Sequence, residues 1–104
     1  LQAKRSNPET VKHPAVYIMA SQRNGTIYTG VTSDLIKRIH DHKTATTGFT
    51  AQHDCKTLVS YEQHETMESA ITREKQLKAG SRKAKLKLIE AKNPQWHDLY
   101  PALL

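Results

Sequence analysis

Two short runs of β-forming residues, Val16-Tyr17-Ile18 and Tyr28-Thr29-Gly30, flank an Asn24-Gly25 pair. No other feature constrains the fold of this chain as much. Val, Ile, Tyr and Thr suit a pleated, half-buried surface. Asn-Gly is the strongest short-range hairpin signal, because both residues tolerate the positive φ of a type I′ turn. With a two-residue loop, Ser21 pairs with Tyr28 and Tyr17 with Thr32. Side chains alternate along a strand and paired residues share a face, so Tyr17 and Tyr28 project from one side of the hairpin. That holds for any loop with an even number of residues and fails with a one-residue bulge. Two tyrosines in a hairpin are by themselves ordinary strand formers, so their meaning depends on the rest of the chain.

At 104 residues the chain is expected to form one domain, long enough to bury a modest core without metal or disulfide staples. The single cysteine, Cys55, rules out an intramolecular disulfide, suits a reducing cytosol and reads as a small apolar filler. There is no membrane-length apolar run and no signal-peptide core, so a cytoplasmic protein with no membrane partner is expected. Residues 1–13 are polar and aperiodic and read as a flexible tail ahead of a domain over 14–104. The formal net charge is +6. Between Thr72 and Lys92, eight basic residues stand against Glu74 and Glu90. A basic small domain points to a polyanionic partner, nucleic acid first, although a lysine-rich helix is often just a solvated face.

After the hairpin, Ser33 reads as an N-cap and Asp34 as a first-turn acid of a helix running to about Thr44. Leu35, Ile36 and Ile39 form its apolar stripe, Arg38 and His42 one edge of that stripe, and Lys37 and Asp41 its wet side. Residues 45–55 read as a loop anchored by Phe49. Residues 56–63 alternate as a third strand. Thr66 caps a helix ending at Gly80 in the C′ position, and Ser81 caps another from Arg82 to about Ala91, stopped by Asn93-Pro94. Trp96, Leu99 and Tyr100 are expected to fold back on the body. The order β-β-α-β-α-α gives an α/β domain, a small, mainly antiparallel three-stranded sheet flanked by helices.

One residue breaks its pattern. On the helix from Met67, at about 100° per residue, Glu74 falls at about 340°, inside the stripe of Ala70, Ile71 and Leu77. A carboxylate there needs a partner. Lys78 at i+4 is the structural candidate, but both ends of such a pair would then face the core. A hard cation is the functional candidate. Tyr17, Tyr28, Arg38, His42 and Glu74 together suit phosphodiester chemistry. A carboxylate can hold Mg²⁺ alongside phosphate oxygens, arginine forks to phosphate, and histidine or a perturbed tyrosine moves a proton. His13, His53, His64 and His97 lack metal-like spacing, and His40 sits off the core stripe.

In order and spacing, VYI (16–18), YTG (28–30), GVTSDLIKRIHDHK (30–43), GFT (48–50), AITREKQLK (70–78) and NPQW (93–96) resemble the GIY-YIG nuclease domain superfamily, specifically its small stand-alone bacterial members. The chain is more distantly similar to the N-terminal domain of the excision-repair protein UvrC and to phage homing endonucleases. The resemblance spans about residues 14–100. Val16 stands where the first signature has glycine, and Thr29 where the second has Ile or Val; neither change removes a functional side chain.

By this resemblance Tyr17 and Tyr28 are the signature tyrosines, Arg38 the phosphate-stabilising arginine, His42 the histidine one turn later and Glu74 the metal-binding glutamate. The implied protein is a Mg²⁺-dependent (or Mn²⁺-dependent) endonuclease hydrolysing phosphodiester bonds in DNA, in repair or processing, with RNA left open as a substrate. Its expected nucleic-acid contacts are Lys37, Lys43, Lys75, Lys78, Arg82 and Lys83. An unperturbed tyrosine is ionised to only about one part in a thousand at neutral pH, so a tyrosine base needs help from the metal or Arg38. Tyr17, Tyr28 and His42 all stay open as the base. The alternative is a nucleic-acid-binding module of the same fold with little activity of its own.

Overall fold

A computed structural model describes residues 13–104. Except for His13, the expected tail over 1–13 lies outside the described residues. Three antiparallel strands, β1 (Ala15–Ala20), β2 (Ile27–Thr32) and β3 (Thr57–Gln63), form one sheet in the order β2-β1-β3. Every residue of β1 is buried, as a central strand covered on both faces requires. Alternation divides its side chains between two cores. Ala15, Tyr17 and Met19 join Leu35, Ile39, Cys55 and Leu58 in one, while Ile18 and Ala20 join Val59, Ile89 and Trp96 in the other.

The hairpin forms, but its turn differs from the expected one. Tyr17 pairs with Gly30 and Met19 with Tyr28, and the last pair is Ala20 with Ile27, so residues 21–26 make the loop. The Gly25 amide donates to the Gln22 carbonyl at 2.9 Å, and Asn24 has φ 60. Asn24 alone takes the left-handed conformation, at the third position of a turn over 22–25, so this is not a type I′ turn at Asn24-Gly25. The loop is longer and its centre lies one residue earlier, which shifts the register by two, but the loop count stays even and the faces are unchanged. Tyr17 and Tyr28 share a side, and Tyr28 packs against the core that holds Tyr17.

α1 (Leu35–Thr44) starts one residue later than the sequence suggests. Asp34, not Ser33, is its N-cap, its carboxylate accepting from the Lys37 amide at 3.3 Å. Leu35 and Ile39 are buried, whereas Ile36 is exposed at the rim. The expected loop over 45–55 contains a short helix, α2 (Phe49–Gln52). Phe49 does not anchor it. Thr50 does, being buried, with its carbonyl accepting from the Cys55 amide at 2.7 Å.

α3 (Met67–Ala79) is capped by Thr66, whose side chain accepts from the Ser69 amide at 3.0 Å. Gly80 ends it with φ −77, so the left-handed C′ glycine expected there is not used. α4 (Arg82–Lys92) is capped by Ser81. Arg82 donates to the Asn24 and Gly25 carbonyls and so pins the hairpin turn to the start of α4.

The C-terminal segment folds back as expected. Trp96 is buried and donates to Glu90 at 3.0 Å, and the Leu99 amide donates to the Leu58 carbonyl on the outer edge of β3. Asn93 does more than stop α4. It is buried, donates to the Val59 and His97 carbonyls, and accepts from the His97 amide. Among the described residues, no helix is long and apolar enough to cross a membrane.

Candidate active site

Because Gly30 lies opposite Tyr17 and has no side chain, the Tyr17 ring can cross directly over it. A Cβ at Gly30 would meet the Tyr17 hydroxyl and stand 2.5 Å from Cζ. This aims the phenol at α1. One turn beyond Arg38, His42 meets it, with Tyr17 Oη and His42 Nε2 2.7 Å apart. The other ring nitrogen, Nδ1, is 3.0 Å from Thr50 Oγ1.

Burial raises the Tyr17 phenol to about 12; the Arg38 guanidinium beside it opposes that rise, and Tyr28 and Glu74 add to it. Tyr17 is therefore protonated at neutral pH, and its O–H needs an acceptor. Arg38 has only donors. Burial, reinforced by Arg38 and opposed by Asp41, lowers the pKa of His42, so its imidazole is neutral. The arrangement that satisfies every proton has Tyr17 O–H donating to Nε2 and Nδ1–H donating to Thr50. Thr50 is thus a site residue that sequence reasoning missed. Its hydroxyl accepts from Nδ1–H in that arrangement, while the Tyr17 proton, which needs Nε2, selects the tautomer.

Tyr28, Arg38, Asp41, His42 and Thr50 line a cavity of about 270 Å³ whose wall is completed by the 45–49 turn. Tyr17 lies behind that wall and is fully buried. Glu74 is mostly buried, and its carboxylate pairs with Lys78 at 3.1 Å. That pair is not wholly turned to the core, as the sequence suggested, because Lys78 is about half exposed. Glu74 does not line that cavity, and its charge makes the smallest of the contributions acting on the Tyr17 phenol.

The basic residues divide into two groups. Lys43 is committed to the fold: it donates to Asp98 and to the Lys56 carbonyl and lies 5.2 Å from the centre of the Tyr100 ring. Arg82 holds the hairpin turn. Arg73 forks onto Glu62 at 2.9 and 3.0 Å. Lys37 pairs with Asp41 on the exposed side of α1. Lys75, Lys78 and Lys83 are exposed on α3 and α4.

A family profile described as the GIY-YIG catalytic domain matches residues 13–87, which covers β1 to the first half of α4. The chain belongs to the GIY-YIG family. Its fold is similar to the solution structure of the UPF0213 protein BH0048 from Bacillus halodurans, with 29% sequence identity, a TM-score of 0.52, and coverage of 83% of this chain and 92% of that one. No curated protein matches the chain at a significant level. Membership in a nuclease domain family gives the chain a nuclease fold, generally that of an endonuclease, and nucleic acid as the general class of substrate.

A hard cation is compatible with the residues present. Among the described residues no three His, Cys, Asp or Glu side chains gather as a metal cage. Mg²⁺ is commonly held by one or two carboxylates and completed by phosphate oxygens and water, and the shielded carboxylate of Glu74 would suit that mode on exchanging Lys78 for the ion.

Proposed function

We propose that this chain is a metal-dependent endonuclease that hydrolyses phosphodiester bonds in DNA, in repair or processing. The observation that carries the proposal is the convergence of Tyr28, Arg38 and His42 on one cavity, with Tyr17 hydrogen-bonded to His42 from behind.

Arg38 binds the scissile phosphate, its planar fork matching two phosphate oxygens. Tyr28 faces the attacking water, and His42, with Nε2 accepting from Tyr17 and Nδ1–H donating to Thr50, packs its ring against Tyr28 and positions it. Tyr17 is a poor candidate for the base, because it is protonated, buried and already donating. It holds His42 Nε2 in place, and Thr50 holds Nδ1. When water attacks phosphorus, its proton passes to Tyr28, which acts as the phenolate after giving its own proton to solvent. The bond to the 3′ oxygen breaks, and that oxygen leaves with a proton from solvent. Glu74 would hold Mg²⁺ or Mn²⁺, which supplies charge neutralisation at the phosphate. Lys37, Lys75, Lys78 and Lys83 contribute long-range attraction to the strand, so binding weakens as salt rises.

The test pairs the wild-type chain with Glu74→Ala on single-stranded, nicked and branched DNA and a matching RNA, with Mg²⁺, Mn²⁺ or EDTA. Metal-dependent cutting by the wild type, and binding without cutting by the variant, is the expected result. Equal cutting by both proteins would overturn the role of Glu74. Binding without cutting on every substrate would leave a binding module.

A further inference from the structure

Phe49 is the largest exposed apolar residue beside the site. It is 46% exposed at the start of α2 and contributes nothing to either core. Gly48 precedes it with φ 91, and a Cβ there would meet nothing within 4 Å. The glycine therefore serves the backbone path, which turns through the left-handed region and sets Phe49 out on the rim.

Phe49 continues a row of rings that starts in the core. Tyr17 and His42 have centroids 5.5 Å apart, His42 and Tyr28 5.4 Å, and Tyr28 and Phe49 5.8 Å. His53 extends the row, 4.3 Å from Phe49. Phe49 also shares the cavity wall with Arg38, Tyr28 and His42. An aromatic surface thus adjoins the group that would bind phosphate. Nucleotides carry that pairing of chemistries, a charged phosphate next to a flat apolar ring.

We propose that Phe49, backed by His53, forms a stacking subsite for a nucleobase next to the scissile phosphate. The inference rests on the nuclease reading of the Arg38 cavity and specifies the substrate for it. Every base has a π-face, so the subsite tolerates sequence. A base inside a continuous duplex already has neighbours on both faces. The subsite therefore takes a base that is free of its stack, in a single strand, at an end or next to a distortion.

The test is binding of the whole chain in EDTA, read by fluorescence anisotropy. The probes are a mixed-sequence single strand, the same strand with abasic positions, and a fully paired blunt duplex. Phe49→Ala is expected to weaken binding to the intact single strand by roughly tenfold and to leave the abasic strand and the duplex unchanged. Phe49→Trp restores the single-strand affinity. Melting temperatures of the variants stay close to wild type, because Phe49 is outside both cores. Equal losses on all three probes, or no loss on any, would overturn the subsite. If the wild type binds no probe, the nuclease reading falls with it; if it binds with no dependence on Phe49, only the subsite falls.

Discussion

Gly30 stands directly opposite Tyr17 in the β1–β2 ladder, and the Tyr17 ring occupies the space that a Gly30 side chain would take. The second signature triplet thus makes room for the tyrosine of the first. The glycine is needed here for close approach, since it has no positive φ.

Gly30→Ala places a Cβ against the Tyr17 ring in a fully buried layer. The ring must move, and with it the hydroxyl that meets His42. A loss of about 1–3 kcal/mol in stability is expected from overpacking, together with loss of cleavage. Denaturant unfolding of the variant checks the first part. An alanine variant as stable as wild type would show that the ring is free to shift.

The Tyr17 and His42 shifts act on opposite ends of the pH-stability curve. Tyr17 titrates at about 12 in the fold but near 10 in the unfolded chain. Its contribution is complete below pH 10 and declines from there toward 12, since the unfolded chain loses the proton first. The pKa of His42 is lowered by folding, so its contribution is complete above about pH 6.5 and declines as acid protonates the unfolded imidazole. Tyr17→Phe should flatten the alkaline fall and reduce kcat. Melting temperature recorded against pH for both proteins decides the point, and an unchanged alkaline limb in the variant would count against the assignment.

Thr50 lines the cavity and holds His42 by its Nδ1. Thr50→Val keeps the shape and removes the acceptor for Nδ1–H, and kcat is expected to fall by on the order of tenfold with KM little changed. Thr50→Ser should restore most of the rate. A purely packing role for Thr50 predicts the reverse order, with valine tolerated better than serine.

Asn93 joins the end of α4, β3 and the C-terminal segment through three hydrogen bonds. Asn93→Ala strands the buried Val59 carbonyl and removes the partner of the His97 amide and carbonyl. A destabilisation of about 1–3 kcal/mol is expected by chemical denaturation, with the active-site hydrogen bonds intact. Loss of less than about 0.5 kcal/mol would mean that water replaces the side chain.

Much of the site could be read before the fold was known, because its signals are local or topological. Alternation alone placed Tyr17 and Tyr28 on one face, and this survived a register shift of two residues because the loop length stayed even. Helical spacing set Arg38 and His42 one turn apart and put Glu74 on a shielded face with Ala70, although Ile71 of the expected stripe is exposed. Thr50 and Phe49 were hidden for a common reason. A four-residue helix is too short to have a period, so residues 45–55 read as a loop and Phe49 as its anchor. In the fold the two exchange roles, with Thr50 buried and Phe49 exposed.

The sequence by itself determined which strands form, the three longer helices that follow, and which side of the hairpin carries both tyrosines. These outcomes rest on period, caps and turn residues, all short-range physics. Only the tertiary structure decided that Tyr17 is closed off and protonated while Tyr28 faces the cavity, that Thr50 reaches His42, and that Lys43 and Arg82 serve the fold. Burial and hydrogen-bond partners depend on what packs against a residue from distant parts of the chain. Sequence spacing does not record that, so the chemistry within the hairpin was fixed when α1 and α2 docked beside it.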